Sequence, residues 1–572
     1  MSKPWRERII DAFSQKVYDM VIPSNHFLRR VNQAVDLAFI NPLCESKYKQ
    51  SQAGRRAEAP ECLFRALLVM ILYQIPFETS LVQEIGLNLA YRWFCGLGLG
   101  ERVFDHSLFY VLRKRLGIAL FEQILTHIVE QCFEHNLLGN GWVFYDTTDI
   151  EAAATRYTPY ERAVITARAV IRLLDQHPVD AGADPSQPPA HASPALRRLV
   201  AEIAQEVAGA KARARAPIVR KVEQLTQQAT TAAAVDAEPP TLQVVMPAPA
   251  AAQALTPPPA PTTITVEATV EPLPRLERAA AILAERLPVT VSTDPQVLKA
   301  ALTQLHQDMP RACGDPDARI GHTSKGESFC GYWSGNMVDG QYGVITATHL
   351  EQGNCYAPTG LVASGVAAQH VERVGAPPHQ AALDAAFDHP EVRAHLAQEW
   401  ASTTTFIHPA PLPTPPSGVA GLEAFTLTAL NELRCPYPSV KPEDTVMRLV
   451  RCDADGTHHY VGQHCASCPR RTQCTTKAHG PRSVTLNPET HRQRLTNVLL
   501  AQLEDHRAAM KKRFAYAEAP YGHGKRHHRW GKAPYRSWVM NKIFNVLVVI
   551  VHNIEKIVRY APIERQKRLA MA

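Results

Sequence analysis

Toward its C-terminal end the chain reads Tyr516-Ala-Glu518-Ala-Pro-Tyr521-Gly522-His-Gly-Lys525. Glu518 and Lys525 lie seven residues apart, two helical turns, so on a continuous helix they share a face. The setting is basic: from residue 491 onward there are 17 Lys+Arg against 5 Asp+Glu, a local balance of +12 in a chain whose net charge is only +7. A carboxylate amid phosphate-binding charge suits metal-assisted chemistry on nucleic acid. Taken alone, the pair reads equally as the solvated face of an amphipathic helix. Two upstream aspartates add to it. Asp146 ends the apolar run Trp142-Val-Phe-Tyr145, a short strand, and Asp384 follows Gln380-Ala-Ala-Leu383, a second strand, ahead of a helix opening at Pro390-Glu391. Side chains at strand ends converge on one edge of a sheet. Three carboxylates meeting there can hold two Mg²⁺ ions (or Mn²⁺), hard cations that take oxygen ligands and serve in-line phosphoryl transfer. Either aspartate alone also fits a turn or cap. Asp149 rivals Asp146, and Asp339, in a hairpin turn marked by Gly340 and Gly343, rivals Asp384.

A second constellation is rich in sulfur. Cys465-Ala-Ser-Cys468 is followed by Cys474, with Cys435 and Cys452 upstream and His458, His459, His464 and His479 nearby. Thiolates at this spacing suit tetrahedral Zn²⁺, with Cys465, Cys468, Cys474 and one of Cys435 or Cys452 as the set. Reduced, buried cysteines are the alternative, and the βαβ pattern that accompanies a redox C-x-x-C is missing. Arg113, Lys114 and Arg115 lie on one basic helix that could enter a DNA groove or simply face water. Trp530, among His527, His528, Arg529 and Lys532, could stack on an unpaired base or serve as a buried anchor.

The elements that must position these groups follow from composition. With 572 residues and 45% hydrophobic content, the chain supports several domains with sizeable cores. The strongest apolar runs, Leu67 to Ile75 and Ile543 to Val551, fall short of the roughly 18 residues of a membrane span. The opening MSKPWRERII has no signal-peptide apolar region, so export is not expected, and the 12 cysteines argue against a disulfide scaffold. Residues 1–138 read as an all-α domain, with a helix opening at Pro60-Glu61, another capped by Thr79-Ser80, one through LFYVLRKRLG and one over about 118–136. Residues 139–157 begin an α/β core that resumes over 313–404, interrupted by a 158–312 insertion in which helical stretches alternate with Pro/Ala-rich tracts at 183–194 and 236–274. Residues 405–488 form a Cys-rich insertion, and 489–572 return to helix, with Pro520 expected to kink or restart it near Glu518. The fold class is α+β or α/β, multidomain, with a mixed sheet flanked by helices.

The set resembles the DDE transposases of bacterial insertion sequences. Asp146-Thr-Thr148-Asp-Ile150-Glu-Ala152 is similar to the family's D-x-T-x-I-x-A. Asp315-Pro-Asp317-Ala-Arg319, Gly331-Tyr332 and Asp339-Gly-Gln-Tyr-Gly343-Val-Ile345 resemble its D-P-D-A-R, G-Y and D-x-x-x-G-x-I blocks. Asp384-Ala-Ala-Phe387-Asp388 resembles D-x-G-Y-D, with alanine for glycine and phenylalanine for tyrosine. Arg513, Glu518, Tyr521, Gly522 and Lys525 match the last block, and Gly54-Arg55, Tyr91-Arg92-Trp93-Phe94 and Asp105-His-Ser107 extend the likeness to the N-terminal domain. The resemblance implies an RNase H-like core and Asp146, Asp384 and Glu518 as catalytic residues and Mg²⁺ ligands. It implies that Arg513 and Lys525 grip DNA phosphates, with Arg319 among the DNA-contacting residues, and one structural Zn²⁺ on the cysteines.

The function these features imply is cleavage at element ends and strand transfer into target DNA. Double-stranded DNA is the partner, a homodimer serves two ends, no membrane is involved, and the location is the bacterial cytoplasm with the nucleoid. The other classes consistent with the sequence are a repurposed DNA-binding protein without catalysis and a stand-alone nuclease.

Overall fold

The computed structural model describes residues 5–6, 8–48, 56–152, 155–176, 194–207, 220–227, 276–277, 280–281, 283–284, 295–308, 312–313, 315–323, 326–355, 357–410, 418–437, 445–477 and 479–571. Of the Pro/Ala-rich tracts at 183–194 and 236–274, expected to be disordered or extended, residues 183–193 and 236–274 lie outside these. The chain divides into two compact units, Met1–Ala153 with Ile320–Ala572, and Ala154–Arg319.

In the larger unit the N-terminal helices are α1 (Ala12–Val21), α2 (Phe27–Ala34), α3 (Ile40–Cys44), α4 (Pro60–Leu72), α5 (Glu78–Leu87), α6 (Leu89–Phe94) and α7 (Ser107–Glu134). Pro60 starts α4, where its missing N–H costs nothing, and Leu63, Phe64, Leu67 and Leu68 are all buried. The helix expected after Thr79-Ser80 instead begins at Glu78, with Phe77 in the cap position and no side-chain cap. Gly117, at φ 68°, breaks α7 into the two helices the sequence suggests. These helices fall in the same compact unit as the sheet.

The sheet begins with β1 (Trp142–Ala152). This strand runs six residues beyond Asp146, so Asp146 sits mid-strand and not at the strand end expected. The smaller unit then carries α8 (Pro159–Gln176), α9 (Pro194–Val207) and α10 (Pro295–Asp308) around its own core, which includes Val164, Ile171, Val200, Leu283 and Leu302. Its buried Arg168 pairs with Glu277 at 3.2 Å.

The larger unit resumes with β2 (Arg319–His322), β3 (Ser328–Asp339), β4 (Ile345–Gln352), α11 (Ala357–Ser364), α12 (Val366–Val374), β5 (Gln380–Leu383), α13 (Pro390–Glu399) and β6 (Thr404–Ile407). The Cys-rich segment folds as β7 (Arg448–Cys452), β8 (His458–Val461) and β9 (Ser483–Leu486), an antiparallel sheet of its own. Helices α14 (Pro488–Leu500) and α15 (Glu504–His527), the short strand β10 (Lys532–Ala533) and α16 (Trp538–Met571) close the unit. The apolar run from Ile543 to Val551 is a core segment of α16, and no helix among the described residues is long and apolar enough to cross a membrane.

The central sheet runs β6-β5-β1-β3, with β4 and β2 also neighbouring β3 and β10 joining β1. β6, β5 and β1 are parallel; β3 is antiparallel to both β1 and β4. Side chains alternate across a strand. Val143, Tyr145, Met337, Leu383 and Trp400 pack in one core on one face, while Phe144 and Ala382 meet Ala509 and Ala517 of α15 on the other.

Strand β3 presses on β1 at Gly331. A Cβ added there would lie 1.9 Å from the Ile150 carbonyl oxygen, which is backbone and cannot yield cheaply. Gly522, inside α15, meets nothing within 4 Å. Gly331→Ala is expected to lower urea-unfolding stability by about 1–3 kcal/mol or more through overpacking. Gly522→Ala should raise it by about 0.5–1 kcal/mol through helix propensity. Equal effects of the two would contradict this register.

Candidate active site

Register brings the two aspartates side by side. β1 and β5 are parallel, and the last residues paired between them are Phe144 and Ala382. Two residues farther along each chain stand Asp146 and Asp384. Parallel strands lie about 4.8 Å apart, and a step of two returns to the same face, here the face covered by α15. Asp384 follows the end of β5, and its Oδ1 accepts the Ala386 N–H at 2.9 Å, capping the short turn at 385–387. Ala386, where the family pattern has glycine, does not adopt a positive φ, so the alanine carries no backbone strain there.

Helix α15 delivers the third acidic residue. Ala509, Arg513, Ala517 and Tyr521 recur at i+4 and form the face turned to the sheet. Ala509, Ala517 and Tyr521 are buried, and the small alanines let the helix approach closely. Tyr516 stacks on Phe144 with ring centroids 5.5 Å apart. The Tyr521 hydroxyl lies 2.7 Å from the Asp146 carbonyl oxygen and 3.1 Å from that of Ser334, tying the helix to β1 and β3. Pro520 sits inside α15, which continues to His527 without the restart that was one of the two expectations there.

Arg513 meets both aspartates. Its Nη2 is 2.9 Å from Asp146 Oδ1 and 3.5 Å from Asp384 Oδ2, with the guanidinium largely buried. The Asp146 carboxyl is raised to about 6: burial is the largest cause and the charges of Asp384 and Glu518 add to it, while Arg513 and the Thr147 N–H oppose it. Glu518 is exposed on α15, and its charge acts on Asp146. Arg513, expected at a DNA phosphate, is here the counter-ion between two carboxylates. The donor set is all oxygen with negative charge in excess, which fits a hard divalent cation.

The rival residues have other partners. Asp339 is buried and accepts from the backbone N–H groups of Gly139, Asn140 and Gln341, a structural anchor for its turn. Asp149 pairs with Lys525 at 3.1 Å. Asp388 is bound by Arg393, Asn497 and the Ala410 N–H. Arg319 donates to the Pro316 and Ala318 carbonyls.

Two expectations about DNA contacts need correction. Arg113 is buried, pairs with Glu78 and lies 4.4 Å from the Tyr535 ring centroid, so it faces the protein core and no groove. Its neighbours Lys114 and Arg115 are exposed. Trp530 is fully buried, donates to Asn545 at 2.8 Å and packs where any Cβ at Gly524 would collide with it, so it cannot stack on a base. Sequence reasoning also missed Asn336. It stands directly opposite Asp146 in the β1–β3 register, fully buried, and both of its amide atoms lack a hydrogen-bond partner. Its one sequence signal was an amide side chain within a mostly apolar strand.

Of the five candidate zinc ligands, Cys435, Cys465, Cys468 and Cys474 line one cavity of about 430 Å³. A Cβ at Gly462 would come within 2.5 Å of Cys465 Sγ, so glycine makes room for that sulfur. Burial raises the Cys435 thiol, and it raises Cys474 to about 11 with help from the other three cysteines. Cys452 is exposed on β7, and its thiol turns to the Asp453 carbonyl, apart from the cavity.

The raised Asp146 carboxyl has a pH consequence. The ordinary value is 3.8, so between that pH and about 6 the folded chain holds a proton the unfolded chain has released. Stability from this group is therefore full below pH 3.8 and is lost as pH rises through about 6. Two pH units at 1.36 kcal/mol each give about 3 kcal/mol at most. Asp146→Asn, neutral throughout, should gain roughly 2–3 kcal/mol on wild type between pH 4 and pH 7 in urea unfolding without divalent metal. Parallel pH profiles for the two proteins would contradict the burial and crowding of this carboxyl.

Comparison with known families gives two matches. Residues 16–115 match the "Transposase domain (DUF772)" model and residues 447–558 match the "Transposase DDE domain" model. The second match contains Arg513, Glu518, Lys525 and the cysteines from Cys452 to Cys474; Asp146 and Asp384 lie outside both. No curated protein and no solved structure matches the chain. One transposase signature lies over the N-terminal helices and a second over the segment bearing Glu518, and together they support a DDE transposase of an insertion element.

Proposed function

We propose that this transposase cuts DNA at the ends of its element and joins the freed ends to target DNA, with Asp146, Asp384 and Glu518 as the shared ligand set for Mg²⁺ or Mn²⁺. The observation that carries this reading is the approach of the Asp146 and Asp384 carboxylates to one Arg513 nitrogen, with the Glu518 charge acting on the same group. The strand order β6-β5-β1-β3-β4, with three parallel strands followed by two antiparallel ones, supports an RNase H-like core.

Divalent ions bound there would activate an attacking oxygen and stabilise a leaving one. The chain's own groups do the rest. The Ala386 N–H orients Asp384, and the Thr147 N–H, 2.9 Å from Asp146 Oδ1, orients Asp146. Tyr521 fixes the helix that presents Glu518. Arg513 balances the two aspartates and would be available to phosphate if a divalent cation supplied that balance instead. Lys525, exposed beside Asp149, stands two turns beyond Glu518 for the DNA backbone. Two element ends call for two copies of the chain, acting on DNA in the cytoplasm. The four cysteines around the 430 Å³ cavity would hold one structural Zn²⁺ that braces the sheet preceding α14.

Two experiments test this. With double-stranded DNA carrying the element's inverted ends and Mg²⁺ or Mn²⁺, Asp146→Ala, Asp384→Ala and Glu518→Ala should each lower nicking by at least about 100-fold, beyond the usual loss for an outer ligand partner. Salt-dependent DNA binding should stay within about threefold of wild type, because no basic contact is removed. Undiminished nicking in any one variant sinks the shared-ligand assignment. Binding without nicking in the wild type favours a repurposed DNA-binding protein, and nicking without joining favours a nuclease. For the cysteines, Cys465→Ser should lose one equivalent of zinc by elemental analysis while Cys452→Ser keeps it; equal zinc in both contradicts the four-thiolate set.

A further inference from the structure

At the C-terminal end of α15, outside the acidic cluster, three potential ligand atoms converge. His523 Nε2 is 2.9 Å and His528 Nε2 is 3.0 Å from the same Glu555 Oε2. All three donor atoms lie within 4.8 Å of one another. Among the described residues, no other His, Cys, Asp or Glu group meets that criterion. We propose that His523, His528 and Glu555 form a binding site for a borderline transition-metal dication of the Zn²⁺ class, cross-linking the catalytic helix α15 to α16.

The spacing fits such an ion. Two ligand atoms each about 2.1 Å from a tetrahedral ion stand about 3.4 Å apart, so the separations of 2.9 and 3.0 Å need widen by only about 0.5 Å to admit it. Two imidazole nitrogens with one carboxylate oxygen suit Zn²⁺, Co²⁺ or Ni²⁺, whereas Mg²⁺ prefers oxygen alone. Glu555 is anionic in this setting: burial pushes its carboxyl up, but His528 and His523 together outweigh burial and leave it lowered. His528 is held through Nε2, since its buried Nδ1 has no hydrogen-bond partner. That nitrogen is therefore free to take the proton that Nε2 gives up when it becomes a ligand. His523 is partly exposed, which gives an ion a route in and leaves coordination positions for water. The ligands flank Lys525 in sequence and begin five residues past Glu518. An ion there would stop the end of α15 from fraying and hold Glu518 at a fixed distance from α16.

The test uses the full-length chain in a Cys465→Ser background, which removes the thiolate site, with excess Mg²⁺ to fill the acidic cluster and Zn²⁺ alone as the probe. The parent should bind one equivalent of Zn²⁺ and show a Zn²⁺-dependent rise in thermal midpoint. His523→Ala, at a partly exposed position, and Glu555→Gln should each weaken Zn²⁺ binding at least about tenfold and abolish that rise, with unchanged far-UV circular dichroism. Equal Zn²⁺ content and equal thermal shifts in the parent and a folded variant overturn the proposal, as does a parent that binds no Zn²⁺. These readouts do not involve DNA cleavage, so they stand or fall independently of the transposition chemistry.

Discussion

One arginine reconciles the central charges of this molecule. Asp146 and Asp384 come to adjacent positions on parallel strands because the β1–β5 register leaves them nowhere else to go. Two carboxylates so close repel, and burial strengthens the repulsion. Arg513 lies against both and reduces it, and it belongs to the same helix that carries Glu518. The arginine thereby ties helix placement to strand register. The alanine face of α15, the Phe144–Tyr516 stack and the Tyr521 hydroxyl bond all keep the helix at the distance this ion pair needs. The raised Asp146 carboxyl records what remains unbalanced, and that remainder is what a divalent cation would stabilise.

Much of this was legible in the sequence, for physical reasons. Short apolar runs ending in aspartate point to strands, and Pro-Glu pairs mark helix starts, because both are local signals. Asp146, Asp384 and Glu518 stand out since each breaks an apolar or basic context. What escaped the sequence depends on partners far away in the chain. Arg113 resembles Lys114 and Arg115 until Glu78 and Tyr535 fold over it. Trp530 sits in a basic run, yet Gly524 and Asn545 give its indole a buried seat and a hydrogen-bond partner. The continuation of β1 beyond Asp146 follows from pairing with β3 through Gly331, a contact that no single-strand pattern reveals. Arg513 was visible as a basic residue, but its role between two aspartates required the register.

The two sides of α15 divide the work. Toward its middle the helix faces the acidic pair; at its end His523 and His528 reach α16 through Glu555. The Cys-rich segment precedes α14 and α15 in the chain and supplies its own small core, including Phe425, Tyr460 and Val484. The smaller unit, Ala154–Arg319, interrupts the chain after β1 and has an apolar core of its own, while β1 and β3 remain paired in the register on which the aspartates depend.

The most direct measurement replaces Mg²⁺ with Fe²⁺ and generates hydroxyl radicals at the bound ion, mapping backbone cuts in the full chain by mass spectrometry. Sharing of one ion by three distant segments predicts cuts clustered near residues 146, 384 and 518 that excess Mg²⁺ suppresses together. Cuts confined to one of these segments, or cuts at all three that Mg²⁺ leaves untouched, would contradict a common divalent site.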